Sequence, residues 1–188
     1  AMVALNKLVV DALMQNNVSA VSISPSSCIV TKSGRIHVFE DEPINQLLQI
    51  GFVPVLYGDV VLDSDLGFTI LSGDQLAASL SIRLNSERII MGVDVDGLYT
   101  ADPKSDSSAS LIHYCTMQEL KAMQQQIKES EGIDVTGGML GKILELTPAI
   151  EKGISALIIN ATKPKNVKKA LKGKRVIGTL IVNGRLKH

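Results

Sequence analysis

The run Arg88-Ile89-Ile90-Met91-Gly92-Val93-Asp94-Val95-Asp96-Gly97 decides the fold class of this chain. From Ile89 to Val93 it is apolar without a break, the pattern of a strand buried on both faces of a parallel sheet. It then turns abruptly into two carboxylates and a glycine, so a buried strand ends in an acidic loop. Parallel strands need crossover helices, and the spacing supplies one on each side. Leu76, Ala77, Leu80 and Leu84 predict a helix over 73–85, and a second helix is expected over 116–127.

The pattern continues outward in both directions. Leu5, Leu8, Val9, Ala12 and Leu13 carry the i, i+3, i+4 spacing of an opening helix over 1–16 with one buried stripe. Val18–Ser24 alternates as a strand, and Ser33-Gly34 is the turn of a hairpin that continues through Arg35–Glu40. Glu42-Pro43 starts a short helix over Ile44, Leu47, Leu48 and Ile50 that Gly51 ends. Phe52–Leu56 reads as a buried strand, and Val60–Leu62 with Phe68–Leu71 as a second hairpin around Asp63–Gly67. Beyond the acidic loop, 101–110 and 124–134 are polar and expected to be exposed. A helix after Gly138 turns Leu140, Ile143, Leu144 and Leu146 inward and kinks at Pro148. Strand Ala156–Asn160, helix Pro164–Leu171 and strands over Arg175–Val182 complete the chain. Alternating strands and helices predict an α/β fold, a three-layer α/β/α sandwich with a mainly parallel central sheet, in one domain of 188 residues. Ligands of such sheets sit beyond the carboxyl ends of the strands, where Gly73, Asp94 and Gly138 fall.

Composition narrows the function classes. Apolar residues make up 45% and charged residues 20%, as in ordinary globular domains. With 19 basic and 19 acidic residues, no Trp and 3% aromatics, the chain has neither the basic field nor the stacking platform of a nucleic-acid binder. Apolar runs reach only six or seven residues, far short of a membrane span. Cys28 and Cys115 lie far apart without CxxC spacing, which fits a reducing cytoplasm better than a disulfide scaffold or zinc site.

Three constellations have the residue types for chemistry. Ser72-Gly73-Asp74 stands between a strand and a helix, where it can cap the helix or bring backbone N–H groups to an anion. Asp94-Val95-Asp96-Gly97-Leu98-Tyr99-Thr100-Ala101-Asp102-Pro103-Lys104 can be a polar turn, or two carboxylates for magnesium or nucleotide hydroxyls beside a lysine for phosphate. Asp134-Val135-Thr136-Gly137-Gly138-Met139-Leu140-Gly141-Lys142 is the most specific. Its glycines open a helix whose N–H groups, positive end and lysine suit one phosphate. It is not a Walker A loop, because Ile143 follows the lysine. His37, His113 and His188 lack metal spacing, and Lys163, Lys165, Lys168, Lys169, Lys172 and Lys174 read as a solvated helix face rather than an anion patch.

In this order, Tyr57-Gly58-Asp59-Val60, Ser72-Gly73-Asp74, Asp94–Tyr99, Asp102-Pro103-Lys104 and Asp134–Gly138 resemble the amino acid kinase superfamily over almost the whole chain. Within it, Pro54–Asp59 followed by Ile70–Asp74 most resembles the isopentenyl phosphate kinases, with fosfomycin-type kinases as the nearest alternative. The resemblance implies ATP-dependent phosphorylation of isopentenyl phosphate to isopentenyl diphosphate, with Mg2+, a small-molecule phosphate acceptor and a cytoplasmic homodimer. It implies Gly73 at the substrate phosphate, Asp74 organising the catalytic lysines, and Asp94, Tyr99, Thr100, Ala101, Asp102, Pro103 and Lys104 along the nucleotide. Gly138 and Lys142 hold ATP phosphates on this reading, and Lys142 is catalytic with Asp74. The family's opening strand, its Lys-x-Gly-Gly-Ser loop and its histidine-bearing loop have no counterpart in this sequence, so the resemblance places them upstream. A non-catalytic nucleotide-binding subunit is the reading from a different class.

Overall fold

The computed structural model of the chain describes residues 1–101, 103, 106–129 and 137–184. Two units cluster separately, Ala1–Ser79 and Leu80–His188.

The first unit contains α1 (Met2–Gln15), β1 (Ala20–Ser22), β2 (Ile29–Lys32), β3 (Arg35–Phe39), α2 (Glu42–Gln49), β4 (Val53–Val55), β5 (Asp59–Asp63) and β6 (Gly67–Leu71). It also holds the start of α3 (Gly73–Arg83). β1 and β4 form a parallel pair with Ala20 opposite Val53 and Ser22 opposite Val55. The other four strands make a sheet in the order β3-β2-β5-β6, two antiparallel hairpins joined by the parallel pairing of β2 with β5. Ser33 and Gly34 both have positive φ, 48° and 77°, as a two-residue hairpin turn of matching twist requires. Ile29, Thr31, Phe39, Val61, Asp63 and Leu71 are buried on one face of this sheet, as period-2 alternation dictates. On the other face Val60, Leu62, Phe68 and Ile70 are exposed.

Asp63 ties the two hairpin turns together. Its carboxylate accepts from the Gly34 N–H at 2.7 Å, the Ser33 N–H at 3.1 Å and the Thr31 hydroxyl at 2.8 Å. It also accepts from the N–H groups of Asp65 and Leu66, both at 2.9 Å. Burial favours the protonated acid, but these donors outweigh it and hold the carboxyl well below the usual carboxylate range.

The opening helix forms where expected but turns a different face inward. Leu5, Leu8 and Val9 are exposed, whereas Asn6 is buried and Val10 and Leu13 are half-buried, an i, i+4, i+7 stripe. The reason is polar. Asn6 Nδ2 donates to the Val55 carbonyl at 3.0 Å and Asn6 Oδ1 accepts from the Ser22 hydroxyl, so the helix docks on the ends of β1 and β4 through this side chain.

The second unit contains β7 (Arg88–Val93), β8 (Tyr114–Thr116), α4 (Met117–Glu129), α5 (Gly137–Glu145), α6 (Thr147–Glu151), β9 (Ser155–Asn160), α7 (Asn166–Leu171) and β10 (Gly178–Val182). Its sheet runs β7-β9-β10-β8, with β7 parallel to β9, β10 antiparallel to β9, and β8 parallel to β10. The predicted α/β class and parallel pairing are therefore present. Ile158, Ile159 and Ile181 in the sheet, Ile143 of α5, Leu146 and Ile150 are among the fully buried side chains. Pro148, in the first turn of α6, starts a new helix where a kink was expected, because proline cannot continue the donor ladder of α5. Leu144 is only half-buried, unlike Leu140, Ile143 and Leu146. α4 runs on to Glu129, into a stretch read from sequence as exposed loop. β8 was not foreseen as a strand, since three residues are too few to show alternation.

Candidate nucleotide and phosphate sites

In the first unit, β1, β4 and β6 lead into Ser24, Tyr57–Asp59 and Ser72–Asp74. The Ser24 hydroxyl donates to Asp59 Oδ2 at 2.9 Å and the Ser26 N–H donates to the same oxygen at 3.2 Å. The Tyr57 hydroxyl donates to Ser24 Oγ at 3.2 Å. Burial pushes the Asp59 carboxyl up, but the donors from Ser24, Ser26 and Val60 prevail and keep it below its ordinary range. Gly58 runs past the start of α3, and a Cβ there would lie 3.1 Å from the Leu71 carbonyl and 3.5 Å from the Gly73 nitrogen. Three strand ends are thus stitched into one surface.

Ser72 serves as the helix cap anticipated as one of its two readings. Its hydroxyl accepts from the Gln75 N–H at 3.1 Å, and its carbonyl accepts from Leu76. Capping leaves Gly73 itself exposed, with open space where a Cβ would stand, so no packing contact in the described structure demands glycine there. Asp74 lies in the first turn, where a carboxylate is favoured by the helix dipole.

The second unit carries the remaining candidates. Asp94 follows β7 directly and is exposed; its carbonyl accepts from Asn160 Nδ2 at 3.3 Å. Gly97 is pressed against β10, where a Cβ would come within 2.4 Å of Thr179 Oγ1. The same hydroxyl accepts from the Leu98 N–H at 2.8 Å and donates to the Ile112 carbonyl at 2.5 Å. Tyr99 bridges to Leu111, and the Thr100 N–H and hydroxyl pair with Ser110. Ala101 is half-buried and Pro103 exposed, while Asp102 and Lys104 lie outside the described residues. Asp134–Thr136 also lie outside them. Gly138 is in the first turn of α5, and Lys142, exposed, is in its last turn.

Sequence reasoning attached no role to Ser24, Ser26, Asn160, Lys163 or Thr179, because each acts on a partner more than thirty residues away. The only signal was their place just after, or within, a predicted strand. His37 and His113 are exposed, and among the described residues no group of three or more His, Cys, Asp or Glu is placed to hold a metal ion. Cys28 and Cys115 are both free. Burial, and then the nearby Glu119 carboxylate, push the Cys115 thiol up to about 11, which makes it a packing residue rather than a nucleophile.

Residues 1–160 match the model of the amino acid kinase family. The isopentenyl phosphate kinase of Methanothermobacter thermautotrophicus is 46% identical over 180 residues, covering 94% of this chain and 66% of the relative. That of Methanocaldococcus jannaschii is 34% identical over 181 residues, covering 96% of this chain and 65% of the relative. A crystal structure of isopentenyl phosphate kinase superposes with a TM-score of 0.80 at 43% identity, covering 95% of this chain and 66% of that one. The chain therefore spans slightly less than two thirds of the length of these relatives. With its strand-end loops built as described and its family model matched from the first residue to the end of β9, the chain belongs to the amino acid kinase family.

Proposed function

We propose that the protein of which this chain is part transfers the γ-phosphoryl group of ATP to isopentenyl phosphate, giving isopentenyl diphosphate and ADP. The observation that carries this reading is the 46% identity to an isopentenyl phosphate kinase across 94% of the chain. Exposed Gly73, with room above its Cα, fits a backbone N–H offered to the acceptor phosphate at the start of α3. Asp94, Tyr99, Thr100, Ala101, Asp102, Pro103 and Lys104 are assigned to the nucleotide, and Gly138 with Lys142 to its phosphates. Magnesium would enter with the triphosphate and offset part of its charge.

A phosphate monoester is already an ionised nucleophile, so this chain has no proton to abstract. Its oxygen forms the new bond to the γ-phosphorus as the bond to the bridging oxygen of ADP breaks. The task left to the protein is positioning and charge compensation. Two unit charges 4 Å apart repel by about 4 kcal/mol at an effective dielectric near 20, which is where the Lys142 ammonium is needed. Asp74 sets the direction of the cationic side chains, and we assign the protein to the cytoplasm as a homodimer.

The test is ADP release by the intact gene product with Mg-ATP and, in parallel, isopentenyl phosphate, fosfomycin and UMP. Selective turnover of isopentenyl phosphate is expected, and Lys142→Ala should abolish it while the far-ultraviolet circular dichroism stays unchanged. Selective turnover of another acceptor would overturn the substrate assignment, and undiminished turnover by Lys142→Ala would overturn the role of Lys142.

A further inference from the structure

The turn that follows β9 carries a feature the proposed reaction does not yet use. Lys163 Nζ lies 2.6 Å from Asp96 Oδ1 and donates to Asp96 Oδ2 at 2.8 Å. The lysine side chain is 50% exposed and the aspartate only 22%. Asp96 Oδ1 is shut off from solvent and has no well-aligned hydrogen bond among the described residues, so the ammonium is the charge that compensates it.

The pair spans the carboxyl ends of two adjacent parallel strands, β7 and β9. The same turn is itself built to hold its shape. Asn160, buried, accepts from the Thr162 N–H at 3.0 Å and the Thr162 hydroxyl at 2.6 Å, and its carbonyl accepts from Asn166 Nδ2 at 3.1 Å. Lys165 takes a left-handed backbone, φ 68°, immediately before α7. Lys163 is therefore presented from a braced turn. On the other side, the loop after β7 is pinned by neutral groups at Asp94, Leu98 and Thr100, and Lys163 supplies an anchor of opposite charge between them.

We infer that Lys163 is a positioning residue for the nucleotide loop, holding Asp96 so that Asp94 and Tyr99–Thr100 are set before ATP arrives. This rests on the assignment of that loop to the nucleotide. It separates Lys163 from Lys165, Lys168, Lys169, Lys172 and Lys174, with which the sequence grouped it as one solvated face.

Two measurements on the intact protein test this. The first is amide hydrogen exchange over 94–100 without nucleotide, and the second is ATP affinity by titration calorimetry. Lys163→Met should speed exchange in the loop and weaken ATP by about fivefold, the upper end for partly exposed ion pairs, with the KM for the acceptor unchanged. Lys163→Arg should restore both, and the charge-reversed pair Asp96→Lys with Lys163→Asp should recover part of the loss. Unchanged exchange in Lys163→Met would overturn the tether whatever the protein binds. Faster exchange with unaltered ATP affinity would overturn the positioning role. No ATP affinity in the unmodified protein would overturn the nucleotide assignment and this role with it.

Discussion

Asp63 shows how one side chain can decide a local fold. It takes five donors, four N–H groups from two turns and the Thr31 hydroxyl of β2, and no neutral residue of its size can accept them all. In Asp63→Asn an amide NH2 replaces one carboxylate oxygen and faces N–H groups that cannot accept from it. The substitution should lower the unfolding midpoint in urea at neutral pH. The sign of the pH effect follows from linkage. The folded carboxyl is held below its unfolded value, so between the two values the unfolded chain binds more protons and stability rises with pH. The contribution is complete above about pH 4, the ordinary value for Asp, and is lost as pH falls from there toward the folded value. Urea midpoints at pH 7, 5 and 3 should fall toward pH 3 in the native protein and fall less in Asp63→Asn. An equal fall in both would show that other carboxylates carry the acid sensitivity.

At the scale of elements, the acidic loop after β7 depends on a contact between strands distant in sequence. Gly97 lies against Thr179 of β10, and their closeness lets one hydroxyl join the Leu98 N–H to the Ile112 carbonyl. A methyl group at 97, within 2.4 Å of Thr179 Oγ1 and 3.0 Å of the Thr179 nitrogen, forces the loop or the strand to move. Gly97→Ala should cost about 1–3 kcal/mol, the usual penalty for overpacking. It should also free the Leu98 amide to exchange. Chemical denaturation with amide exchange checks both, and a neutral effect on stability would mean that the loop yields without strain. The helices follow a different logic. α1 forms from its own spacing, but the face it buries is chosen by Asn6 and its partners on β1 and β4.

For the whole molecule, the proposed function has a thermodynamic consequence that needs no acceptor. A ligand that binds only the folded state adds stability, about 2.7 kcal/mol at a concentration one hundred times its Kd. Mg-ATP should raise the thermal midpoint of the intact protein in a concentration-dependent way, with no acceptor present. Differential scanning fluorimetry across a nucleotide series measures this. An unchanged midpoint at millimolar ATP would argue against a nucleotide site at the loops after β7 and before α5. No helix among the described residues is long and apolar enough to cross a membrane.

The sequence by itself determined most of the elements, though not β8, the end of α4 or the separate helix α6. An unbroken apolar run gave β7, which spans Arg88–Val93, Ser33-Gly34 gave the first hairpin turn, and Pro148 marked an irregularity after α5 that the structure resolves as the start of α6 rather than a kink. These signals are local, set by period, by backbone freedom and by a missing donor. It also determined the candidate loops, since strand-to-loop transitions and glycines are visible without partners. What the tertiary structure alone decided are the pairings across sequence: Asn6 with Val55, Asp63 with Gly34, Thr179 with Leu98, and Lys163 with Asp96. A polar side chain looks the same in sequence whether it faces water or a partner thirty to eighty residues away. Only the fold, by burying it, requires that partner to be there.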